Sequence, residues 1–248
     1  MRQLTILLLL FLALFAAPRR SVANDQFYVV IFGSESDPKH LRLSHTFATF
    51  VRATGEGPDP STYALTVHTI SWLPRQLDVR VRRPCPEPGI NLDLDSTIRV
   101  LMKDGETVTA WGPYRISLEI YNLSIQEMNK LNSGTELYRA VDGPLNNKVS
   151  NCIHAVGDVD PLFGRRGYAL DRVGKPASAY IAKELVKRSR YEQTLFDNNW
   201  LIPRLGLHAY PIEYVDGRGP TRLRHYEVQS TISRIRGLHP QNWKSDLQ

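Results

Sequence analysis

The sequence predicts an α+β domain, on three features. Short runs of β-branched and aromatic residues crowd the first third of the chain, helical periodicity takes over after them, and glycine and proline turns separate the two regimes. Gln26 to Phe32 (QFYVVIF) is dense in strand formers and stops at Gly33-Ser34, so it predicts a buried strand. Ser44 to Arg52 carries Phe47 and Val51 among small residues and is broken by the GEGPDP run at 55–60. Tyr63 to Ile70 predicts a third strand, with Tyr63, Leu65 and Val67 on one face and Thr66 and His68 on the other. His45 and His68 then lie on neighbouring strands.

The region from Thr97 to Leu101 suits a strand turning at Asp104-Gly105, but Asp95 or Ser96 as a cap favours a short helix through Met102. In Ser117 to Leu131 the residues Leu118, Tyr121, Ile125, Met128 and Leu131 recur at helical spacing, and Gly134 closes the segment. After Leu137 to Val141 comes a turn at Asp142-Gly143-Pro144, and Ser150 as N-cap places Cys152 in the first turn of a further helix. Pro176 to Arg188 has proline at its start and basic residues at its end, as the helix dipole favours. Trp200 to Leu207 reads as a last strand broken by Pro203.

Residues 1–23 have the pattern of a cleavable secretory signal: a single charge, Arg2, ahead of the apolar residues from Leu4 to Ala17, then Ser21 and Ala23 at a small-residue cleavage site. The apolar run ends at Pro18, short of the roughly 20 residues of a membrane span. The expected organisation is a leader at 1–23, one domain at 24–216 and a basic extension at 217–248. The expected location is secreted or periplasmic. The leader holds three of the 31 basic residues and none of the 25 acidic ones, so the exported chain keeps 28 basic against 25 acidic. That balance excludes a dedicated nucleic-acid binder, which concentrates positive charge far more strongly. Arg218, Arg222, Arg224, Arg234 and Arg236 make the extension basic; it is a solvated tail or a contact for an anionic envelope polymer.

Cys85 and Cys152 are the two cysteines, and in an oxidising compartment a disulfide between them is the ordinary reading. Their settings differ. Cys85 stands in Pro84-Cys85-Pro86, where no helix forms, whereas a first-turn position and a nearby imidazole lower a thiol's pKa and make it nucleophilic. Cys152 is therefore a nucleophile, a disulfide partner or an inert buried thiol.

The order His45 in SHTF, His68 in VHTI, then Cys152 in the string Asn151-Cys152-Ile153-His154 resembles the circularly permuted, NlpC-like branch of the papain superfamily, which includes lecithin retinol acyltransferase and bacterial envelope hydrolases. The resemblance spans roughly residues 26–160. It implies a papain-like α+β fold, with a partly antiparallel sheet packed against the cysteine-bearing helix. It also implies roles: Cys152 as nucleophile, His45 as general base, His68 as the group that orients it. The expected activity is thiol-dependent hydrolysis or acyl transfer on an amide or ester of an envelope peptide or lipid. The segment Trp111-Gly112-Pro113-Tyr114 resembles a motif of exported members and is given no catalytic role.

No cofactor is expected, because the sequence has no phosphate-binding glycine loop and no dinucleotide fingerprint. Cys152 and His154 with Asp158 and Asp160 could be drawn as a metal site, but residues two apart on a helix diverge, and no metal is expected. Asn122-Leu123-Ser124 matches a glycosylation acceptor inside a predicted helix.

Overall fold

The computed structural model describes residues 24–142, 148–160, 173–189, 198–215 and 225–226. The leader at 1–23 and nearly all of 217–248 fall outside them. Among the described residues no helix is long and apolar enough to cross a membrane.

The chain is α+β. Strands β1 (Asn24–Ser36) and β2 (Ser44–Gly55) form a long antiparallel pair, with β3 (Ala64–Ile70) beside β2. Both β1 and β2 are buried on their two faces, which is why their sequences read as nearly unbroken apolar runs rather than as alternations. After Ile70 the chain leaves this sheet through β4 (Trp72–Pro74), which pairs with β5 (Glu87–Asn91) in a second sheet. Helix α1 (Leu94–Lys103) follows, capped by Asp93, whose carboxylate accepts the Ser96 N–H at 2.8 Å. The cap lies two to three residues earlier than the sequence suggests, and the helix prevails over the alternative strand.

Strand β6 (Glu106–Ile116) then pairs antiparallel with β1. It went unread because Gly112-Pro113 looks like a turn. The ladder absorbs that pair with a register shift between Val29 and Ile31, and Gly112 sits at φ 97°, with the Val29 carbonyl 2.9 Å from where a Cβ would be. Helix α2 (Leu118–Asn132), capped by Ser117, leads to the short strands β7 (Leu137–Tyr138) and β8 (Val149–Ser150) of the second sheet. Next come α3 (Cys152–Gly157) and α4 (Lys175–Ser189). Trp200 to Leu207 is no strand: Leu201–Arg204 forms a helical turn, α5, with Pro203 within its first turn, where a missing N–H costs nothing. Strand β9 (Ile212–Val215) adds parallel to β6, and β10 (His225–Tyr226) adds to β9, so the sheet continues into the segment expected to be a tail. The large sheet therefore runs β10-β9-β6-β1-β2-β3, and the small one β4-β5-β7-β8.

Alternation divides the core. Val29, Ile31, Ala48 and Phe50 face α2, α3 and α4, together with Ala177 and Ile181. Val30, Phe32 and Phe47 face α1 and the segment around Leu207, with Ile98 and Leu101. Each of the Val, Ile, Leu and Phe side chains contributes about 1.5–3 kcal/mol on burial. Helix α4 lies close on the first face because Gly33 has no side chain: a Cβ there would come within 2.7 Å of the Ser178 hydroxyl.

Candidate functional site

Register explains where Cys152 sits. On β3, the Thr69 carbonyl accepts Asn91 Nδ2 at 2.8 Å, the Ser71 N–H donates to Asn91 Oδ1 at 2.7 Å, and the Ser71 carbonyl accepts the Leu92 N–H at 3.1 Å. Odd-numbered residues of β3 thus turn their backbone groups away from β2, and even-numbered ones bond to it through the pairs Phe50↔His68 and Ala48↔Ile70. The next even position on β2 is Thr46, and by then β3 has left. The N–H of Thr46 goes instead to the Cys152 sulfur, which occupies the gap in the ladder.

Cys152 is the first residue of α3. The N-cap is Asn151, one residue later than expected; its side chain accepts the His154 N–H at 2.9 Å. At six residues the helix has a weak dipole. What acts on the sulfur is more specific: the Thr46 N–H meets it, and the adjoining Cys152 and Ile153 amides add to the same effect, all favouring the thiolate. Burial, with the Asp142 carboxylate adding to it, outweighs them and pushes the thiol up to about 12. The depressed pKa expected from the first-turn position is absent in this resting state. Both Cys85, exposed, and Cys152, buried, are free thiols, so the Cys85–Cys152 disulfide is not formed.

His45 is 2 % exposed and stands one peptide unit from the Thr46 amide that holds the sulfur. Its ring stacks on Phe47 at 5.6 Å between centroids, on the α1 side of the sheet. Nε2 lies 3.0 Å from Ser71 Oγ, while Nδ1 is buried without a hydrogen-bond partner. No hydrogen bond therefore joins His45 to Cys152. Burial lowers the imidazole to about 3, so it rests neutral. His68 does not reach His45. Opposite Phe50 in the register, it stacks on that ring, meets Tyr121 edge-on, and shares a 2.8 Å hydrogen bond with Ser124 of α2. Ser124, the hydroxyl of the apparent glycosylation motif, is fully buried in that contact. The position expected of His68 beside His45 is filled by Ser71.

A second polar assembly braces α3 from behind. The Asp142 carboxylate accepts the Asn151 backbone N–H at 3.0 Å and its Nδ2 at 2.9 Å. It also accepts His154 Nδ1, at 2.8 and 2.7 Å from its two oxygens. Asp142 reads in the sequence as a turn residue, and nothing in the spacing ties it to position 154. Ser71 and Thr46 were missed for a similar reason, since both matter through register. Asn151 could have been found, because asparagine caps helices as well as serine does.

Cys152 opens onto a cavity of about 30 Å³, bordered on its polar side by Ser44, Tyr138 and Asn151. Ser44 rather than His45 lines it, as alternation along β2 requires. Among the described residues no cluster of His, Cys, Asp and Glu is arranged to hold a metal ion. No protein-family model, curated protein or solved structure matches the chain.

Proposed function

We propose that the chain is an exported thiol-dependent hydrolase or acyltransferase of permuted papain-like architecture, acting on an amide or ester in an envelope peptide or lipid. The observation that carries this reading is a sulfur at the head of α3 that stands where a strand partner of the Thr46 N–H would be, with the Cys152 and Ile153 amides beside it. Amide donors about a sulfur favour its thiolate.

In this proposal His45 Nδ1, the ring nitrogen without a partner, takes the Cys152 proton, which requires the ring to move from its place against Phe47 toward the sulfur, while Ser71 partners Nε2. Ser71 thus has the orienting role that the resemblance gave to His68. The sulfur forms a bond to the substrate carbonyl carbon, and the bond to the leaving alcohol or amine breaks as that group takes the proton from His45. Water or another acceptor then cleaves the thioester. The neutral resting pair means that the proton moves during the attack rather than before it.

The test is a stopped-flow assay with p-nitrophenyl acetate, combined with intact-mass analysis. A stoichiometric burst with acetyl trapped on Cys152 is expected, lost in Cys152→Ala and slowed about 100-fold or more in His45→Gln. Turnover unchanged by Cys152→Ala would remove the reading. The buried, neutral state of both groups also suits a papain-like domain that has lost activity, and a correctly folded protein with no burst would favour that alternative.

A further inference from the structure

The cavity beside Cys152 has a uniform chemistry. Leu41, Val79, Val81, Ala140, Val141 and Val173 line it, and among the described residues none of its lining side chains carries a charge. These residues come from four separate places: the turn before β2, the loop after β4, the end of β7 and the start of α4. On the loop after β4, Val79 and Val81 turn inward while Arg80 and Arg82 are exposed. Charge is thus available along this loop and is kept out of the cavity. At about 30 Å³ the space admits two or three heavy atoms, since one water-sized group needs about 10–15 Å³.

We infer that the acyl group handled by Cys152 is short, aliphatic and uncharged, with Val79 and Val81 setting its length. The inference rests on the acyl-transfer reading of this site. The carbonyl carbon joins the sulfur and its two- or three-carbon substituent fills the cavity; a carboxylate there would be desolvated, with no cation among the described lining residues to meet it. A longer chain would have to displace Val79 or Val81.

A series of p-nitrophenyl esters from acetate to octanoate, with the hemisuccinate as the charged member, tests this on the purified chain. The expected kcat/KM peaks at propionate or butyrate and falls about tenfold or more by octanoate, because pockets discriminate by roughly that factor per misfit methylene. Val81→Ala and Val79→Ala are expected to move the peak to longer chains. A second measurement works without turnover. Iodoacetamide and iodoacetate differ mainly in charge, and the exposed Cys85 serves as the internal standard. The preference for the neutral reagent should be about tenfold greater at Cys152 than at Cys85. Octanoate or hemisuccinate as the best Cys152-dependent substrate overturns the inference and leaves the hydrolase standing. If no ester is turned over, the hydrolase reading fails and the alkylation ratio alone decides the character of the cavity; equal ratios at the two cysteines overturn it.

Discussion

Two imidazoles in this molecule are equally buried, each 2 % exposed, and they are held in opposite ways. His154 has a carboxylate against Nδ1, and the same carboxylate grips the residue that caps its helix. His45 has one hydroxyl on Nε2 and nothing on Nδ1. The first arrangement uses a buried carboxylate–imidazole contact to fix a helix end; the second leaves one ring nitrogen buried with no partner. Burial alone does not separate the two; what faces Nδ1 does.

The largest effect should come from breaking the brace. Asp142→Ala removes the acceptor shared by His154 Nδ1 and the Asn151 backbone N–H and leaves Asn151 Nδ2 only its 3.5 Å contact with the Ala140 carbonyl, and it is expected to cost about 3–5 kcal/mol in urea unfolding at neutral pH. A loss under about 1 kcal/mol would mean that water replaces the carboxylate and the two histidines are not so different.

His45 should announce itself through pH. Folded, it titrates at about 3, and the unfolded chain takes up its proton near the ordinary 6.5. As pH falls below about 6.5 the unfolded state binds a proton that the folded state refuses, so stability drains away down to about 3. His68, lowered to about 4 by its own burial, adds to the same trend. Between about pH 7 and about pH 4.5 wild type should lose roughly 2–3 kcal/mol more than His45→Gln does. Parallel pH profiles for the two proteins would contradict the assignment.

Glu106 works in the other direction on the same side of the sheet. Burial raises it to about 7, and Ser34 donates to it at 2.5 Å. Its contribution is fully present below about 4.5 and is lost as pH rises through 7. Glu106→Gln should therefore be more stable than wild type by about 2 kcal/mol at pH 8 and no more stable at pH 4. The smallest effect belongs to Ser71→Ala, about 1 kcal/mol from one lost hydrogen bond. If Ser71 orients His45, kcat should fall more than that stability change explains while KM holds.

Much of the fold was legible because β1, β2, β3, α2 and α4 carry periodic apolar patterns and ordinary boundary residues. Cys152 at a helix start was legible too, with the cap misplaced by one residue. What could not be read depends on register. His45 and His68 do lie on neighbouring strands, but the connection through residues 56–63 sets His68 opposite Phe50 and so out of reach. The same register brings Ser71 to His45 and uncovers Thr46. Strand β6 stayed hidden because a local turn signal at Gly112-Pro113 was overruled by two neighbouring strands.

The Thr46 amide completes its ladder on a side-chain atom instead of on another strand. The sheet edge is thereby a sensor of the thiol's chemical state. Alkylation or acylation of Cys152 turns a good acceptor into a poor one, and the proton on the Thr46 nitrogen loses its protection while those of Ala48 and Phe50, still paired with β3, keep theirs. Hydrogen exchange at a single backbone position would then report occupancy of the sulfur.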